Sequence, residues 1–103
     1  MNIQFKKGVL ELCVLSLLTK RDFYGYELVE YISKYINISE GTIYPLLRRF
    51  RTEGYVNTSL QESQEWPTRK YYTITKEGEI AYEELLIEWD KFIEGVNEIL
   101  RGD

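Results

Sequence analysis

SEGTIYPLLRRFRTEG, running from Ser39 to Gly54, is the stretch on which the fold turns. At ~100° per residue, Ile43, Leu46, Leu47 and Phe50 fall within about 100° of one another. That i, i+3, i+4, i+7 pattern marks a helix laid on a core, and it predicts a helix over roughly 40–53. Gly54 follows in the C′ position, where left-handed backbone is cheap. Ser39 is a good N-cap and Thr42 a second candidate. If Thr42 caps, Pro45 sits harmlessly in the first turn; if Ser39 caps, Pro45 removes a backbone donor inside the helix. Spacing leaves that choice open. The face turned away from the apolar one holds Gly41, Tyr44, Pro45, Arg48 and Thr52. Arg51 lies on one margin, with Thr42 and Arg49 on the other. No acid occurs between Gly41 and Thr52, although a solvated helix face normally mixes signs to gain i,i+4 pairs. Arg can hold phosphates or guanine edges, and Thr and Tyr hydroxyls reach phosphates. The face therefore suits a DNA duplex better than bulk water.

Working outward, residues 24–36 (YGYELVEYISKYI) form a preceding helix with Leu28, Ile32, Tyr35 and Ile36 at helical spacing. Asn37-Ile38-Ser39 makes a short turn between the two helices. Residues 5–20 (FKKGVLELCVLSLLTK) are apolar on nearly every face, from Val9 and Leu10 to Leu18. A helix of that kind is wrapped on several sides, in part by a second copy of so small a chain. Cys13 reads as a small buried hydrophobe. Downstream, Tyr55–Leu60 and Thr68–Thr75 are rich in β-branched and aromatic residues and flank the polar loop 61–67. They read as a two-stranded hairpin, with Val56, Leu60 and Ile74 packed on the helices and Arg69 and Lys70 beside the loop, flanking the duplex. Thr75 caps a final helix over 76–100. Helix, helix, helix, hairpin, helix is the order of a winged helix-turn-helix. The expected fold class is α+β, mostly α, with a winged-helix DNA-binding domain over 1–75 and a long C-terminal dimerisation helix over 76–103.

The charge is sorted in the same way. The chain of 103 residues has a net charge of −4 and a pI near 4.9, which looks wrong for a nucleic-acid binder. Yet residues 1–76 hold 11 Lys and Arg against 8 Asp and Glu, whereas residues 77–103 hold 2 against 9. An acidic tail hides a basic body. With no His and one Cys, His-based catalysis, disulfide frameworks and all-Cys zinc sites are excluded. No carboxylate cluster has recognisable metal spacing, so neither an enzyme nor a cofactor is expected. No segment reads as a signal peptide or membrane span, and the expected location is cytoplasmic.

In the final helix, Tyr82, Leu86, Trp89, Ile93, Val96 and Leu100 step by four and three, a heptad seam. Leu85, Phe92 and Ile99 widen the stripe. A stripe so wide on a helix of ~37 Å fits a dimer interface, shared with Val9 and Leu10 of the first helix. Trp89 stands at its centre. It is either an anchor of that interface or one of two facing indoles that form a slot for a planar aromatic ligand, with Leu85 and Phe92 alongside.

FYGYEL (Phe23–Leu28), SEGTIYPLLRRFRTEGYV (Ser39–Val56) and RKYYTITKEG (Arg69–Gly78) together resemble the PadR family of transcriptional regulators. The resemblance implies a winged-helix homodimer that represses transcription by binding operator DNA, and two recognition helices related by a dyad should meet a pseudo-palindromic site. It places Thr42, Tyr44, Arg48 and Arg49 in or near the major groove, Arg69 and Lys70 on the wing, and the first and last helices in the dimer. Ser39 and Arg51 complete the candidate DNA contacts. By length the chain resembles the short, LmrR-like, multidrug-sensing members, in which a Trp at the position matching Trp89 stacks planar drugs. It departs from the family at Gln64-Glu65-Trp66-Pro67, where a Gly/Pro-rich turn is usual. The expected function is a dimeric DNA-binding repressor relieved by a small aromatic effector. The alternative is a protein-interaction module that keeps the winged fold without binding DNA.

Overall fold

The computed structural model describes residues 3–61 and 69–102, and for residues 3–7 the helical backbone alone. The expectations for the loop around Glu62, Glu65 and Trp66 lie outside these residues. The elements are α1 (Ile3–Leu18), β1 (Phe23–Tyr24), α2 (Gly25–Ser33), α3 (Glu40–Thr52), β2 (Val56–Gln61), β3 (Arg69–Ile74) and α4 (Lys76–Arg101). The sheet is antiparallel, in the order β1-β3-β2. Val56 pairs with Ile74 and Gln61 with Arg69, while Phe23 and Tyr24 pair with Tyr72 and Tyr71. The hairpin is thus three-stranded at its base, which the sequence reading lacked: two residues are too few to show an alternation.

Local chemistry explains where the elements begin and end. The Tyr24 N–H donates to Glu27 Oε1 at 3.1 Å, and Arg21 pairs with the same carboxylate at 3.3 Å, fixing the start of α2. Ser39 is the N-cap of α3 in extended backbone. Pro45 therefore lies inside the helix, and the choice falls on the costlier of the two starts. Gly54 ends it with φ +81°. Thr75 joins two elements: its Oγ1 accepts from the Gly78 N–H at 3.1 Å and donates to the Gly54 carbonyl at 2.6 Å. The end of α3 and the start of α4 are held by one hydroxyl.

The core gathers Leu10, Val14 and Leu15 from α1, Leu28 and Ile32 from α2, Ile43, Leu47 and Phe50 from α3, and Val56 and Tyr72 from the sheet. Each large apolar side chain so buried contributes about 1.5–3 kcal/mol of transfer free energy. The face of α3 read as apolar is the face that is buried: Ile43, Leu46, Leu47 and Phe50 are all inside. Three expectations need correcting. Leu10 is wholly buried within the protomer, so it cannot serve a second copy. Tyr35 is 76% exposed because α2 stops at Ser33 and the following turn breaks the helical register. Leu60 is 72% exposed, since β2 runs beyond the helices and leaves its far end in solvent. Cys13 is half-buried, and burial pushes its thiol up, away from the reactive thiolate.

Candidate nucleic-acid interface

The outward side of α3 and the base of the hairpin meet around one open cleft of about 580 Å³, lined by Tyr24, Tyr26, Tyr44, Arg48, Arg69, Lys70 and Tyr72, with Gly25 at its edge. Arg48 and Lys70 are exposed and Arg69 half-buried. The Arg69 guanidinium lies 4.5 Å from the centre of the Tyr24 ring, which packs edge-on against Tyr71 at 5.5 Å. Such stacking holds a long cationic side chain in place before a ligand arrives. Tyr72 lies within the field of both Arg51 and Arg48; burial pushes its phenol up and the two cations oppose that shift. Tyr44 is half-buried against the core edge, and burial, with Glu40 adding to it, raises its phenol. It stays a neutral donor at physiological pH.

Of the residues read as DNA contacts, Tyr44, Arg48, Arg69 and Lys70 are brought together. Arg51 is exposed beside them. Ser39 and Thr42 sit at the start of α3, their hydroxyls 3.4 Å apart. Arg49 is drawn elsewhere. Its guanidinium hydrogen-bonds Glu11 of α1 and approaches Glu53 at 3.5 Å, and the Glu11 bond raises its pKa. The groove it lines also contains Glu84 and Glu88, surroundings that repel a duplex. Adjacent residues on one helix thus stand in opposite surroundings. Arg49→Ala is expected to lower stability by about 0.5–2 kcal/mol, through a part-exposed pair and a carboxylate left without its partner, and to leave the salt dependence of DNA binding unchanged. Thermal melting and salt titration check this.

Sequence reasoning missed Tyr24, Tyr26 and Tyr72, although the signal stood in FYGYEL and RKYY. No role was read for the aromatics there; in the structure the pairing of Tyr24 with Tyr71 goes with a Tyr24 ring set against the Arg69 guanidinium.

At the opposite end, Leu85, Trp89 and Phe92 do line one groove, of about 340 Å³, together with Gly8, Leu12 and Glu88. A second apolar groove of about 350 Å³ opens on Leu86 and the other side of Trp89, walled by α1 and α2. Of the wider stripe, Ile99 is 84% and Leu100 65% exposed. Among the described residues no helix is long and apolar enough to cross a membrane, and no group of acids or cysteines is placed to hold a metal ion.

A helix-turn-helix whose second helix is followed by an antiparallel wing defines a winged-helix protein. Residues 14–84 match the PadR-like family of transcriptional regulators, and the chain belongs to that family, whose members regulate transcription and are not enzymes. It is similar to a PadR-like transcriptional regulator from Bacillus cereus, with 40% identity, a TM-score of 0.87 and coverage of 97% of this chain and 99% of that one. An uncharacterised protein of Lysinibacillus sphaericus is 30% identical over 100 residues, 93% of this chain and 92% of the relative. Bacillus subtilis PadR, solved in complex with operator DNA, shares 26% identity at a TM-score of 0.69, over 77% of this chain and 47% of that one.

Proposed function

We propose that the protein is a homodimeric transcriptional repressor whose α3 and wing base bind a pseudo-palindromic operator, and whose release is triggered by a planar aromatic molecule at Trp89. The observation that carries the DNA reading is the convergence of Arg48, Arg69 and Lys70 with Tyr44 on one open cleft. The structure of a relative with operator DNA supports it. Dimerisation rests on the apolar stripe of α4, whose Ile93, Val96, Ile99 and Leu100 side chains face solvent or are only partly covered within the protomer. Exposed apolar stripes of that extent mark association sites. A two-fold dimer would present two copies of α3 to successive major grooves, about 34 Å apart.

Release follows from the joints between elements. Trp89 lies on α4, α4 is tied to the end of α3 through Thr75 and Gly54, and α1 is tied to α3 through Glu11 and Arg49. A ligand that binds better to one arrangement of the α4 pair shifts the spacing of the recognition helices.

The test is selection of duplexes from a randomised pool, followed by footprinting and sedimentation. Two protected half-sites one helical turn apart and a dimer on the duplex are expected. A stable dimer that retains no duplex at low salt would instead favour a protein-interaction module, which the acidity of α4 would suit. A planar acridine dye is expected to quench tryptophan emission in the wild-type protein, and Trp89→Ala to lose the quench. Quenching that persists in the variant rejects Trp89 as the seat.

A further inference from the structure

We infer that Gly25, at the first helical position of α2, is a positioning residue for DNA recognition: it leaves the space that sets the Tyr44 ring in the cleft. The inference rests on the DNA reading of that cleft. A glycine at this place is not required by the backbone, because among the described residues only Gly54 has a positive φ. Nor does helix propensity ask for it, since Ala is the better helix former. What the structure shows there is a close approach. A Cβ at position 25 would stand 2.6 Å from Tyr44 Cε1 and 3.2 Å from both Cζ and Oη. The obstructing atoms are the far end of a side chain that is only half-buried. A methyl group at position 25 therefore displaces the ring rather than the helix.

The direction of that displacement matters because of what surrounds the ring. Arg48 stands one turn further along α3, and Arg69 and Lys70 face it across the cleft. With Gly25, the ring lies against α2 and the cationic groups keep a common opening. In the Gly25→Ala variant, the ring is pushed out of that seat. The phenol remains on the protein but no longer where it can meet a phosphate or base edge.

The experiment is a double-mutant cycle of Gly25→Ala and Tyr44→Ala, read by fluorescence anisotropy on the duplex that the wild-type protein selects, with thermal melts beside it. Gly25→Ala is expected to weaken binding about tenfold, with an unchanged slope of log K against log salt, because the Arg and Lys contacts persist. On the Tyr44→Ala background the same substitution should alter binding by less than about twofold, since the three atoms nearest to the added methyl all belong to the Tyr44 ring and hydroxyl. A melting loss that Tyr44→Ala relieves supports the steric origin. Wild-type affinity in Gly25→Ala, an equal loss on both backgrounds, or a melting loss that Tyr44→Ala does not relieve overturns the inference while the DNA reading stands. A wild-type protein that retains no duplex overturns both.

Discussion

Replacing Arg48 by Glu is expected to abolish specific duplex binding while the protein melts within a few degrees of the wild type. Arg48 is exposed on the outward side of α3, borders the cleft with Tyr44 and Lys70, and takes no part in the core. Losing one base or phosphate contact costs about 1–3 kcal/mol. Placing a carboxylate against the phosphate backbone adds repulsion, so the affinity should fall by a factor on the order of 10² to 10³. Exposed substitutions away from structural contacts change stability by only about 0.5 kcal/mol. Anisotropy at one fixed salt concentration, with a melt of the same sample, decides it. Tight binding by this variant would remove α3 from the interface. The comparison with Arg49→Ala sharpens the reading, because that neighbouring change is expected to do the reverse, lowering stability and sparing the salt slope.

The double substitution Ile93→Asp with Leu100→Asp should leave a folded monomer. Both positions lie on the seam of α4, and Leu100 is largely solvent-exposed in the protomer, so little of the internal core is touched. In a two-fold interface each change occurs twice. Buried anchors lose about 2 kcal/mol or more on truncation, and an unpaired carboxylate taken into an apolar contact costs further. The dimer dissociation constant should rise by a factor on the order of 10³, read by sedimentation equilibrium with circular dichroism as the check on folding. Operator binding should fall with it, since a monomer offers one recognition helix where two half-sites wait. A dimer that survives both aspartates would move the interface off α4.

These two expectations differ in how far they were legible in the amino-acid order. The seam of α4 was readable from spacing alone, as was the cap at Thr75, whose hydroxyl does receive the Gly78 N–H. So was the division of α3 into an apolar and a cationic side. All of these depend on chemistry within one element, where 3.6 residues per turn or a residue-to-backbone bond sets the answer. Spacing parted Arg48 from Arg49 only as face from margin, both within the same acid-free stretch. What draws Arg49 away is Glu11, 38 residues distant.

The same division runs through the rest of the molecule. Composition and order by themselves determined the succession of helices, the hairpin, the inward row of Ile43, Leu46, Leu47 and Phe50, and the separation of a basic body from an acidic end. Tertiary packing alone decided that Leu10 belongs to the protomer's own core, that Leu60 stands beyond the helices, and that a two-residue strand brings Tyr24 under Arg69. It also decided that Gly25 and Tyr44, far apart in the chain, share one small volume. Periodicity says which side chains lie on the same face; only the arrival of another element says whether that face is covered, and by what.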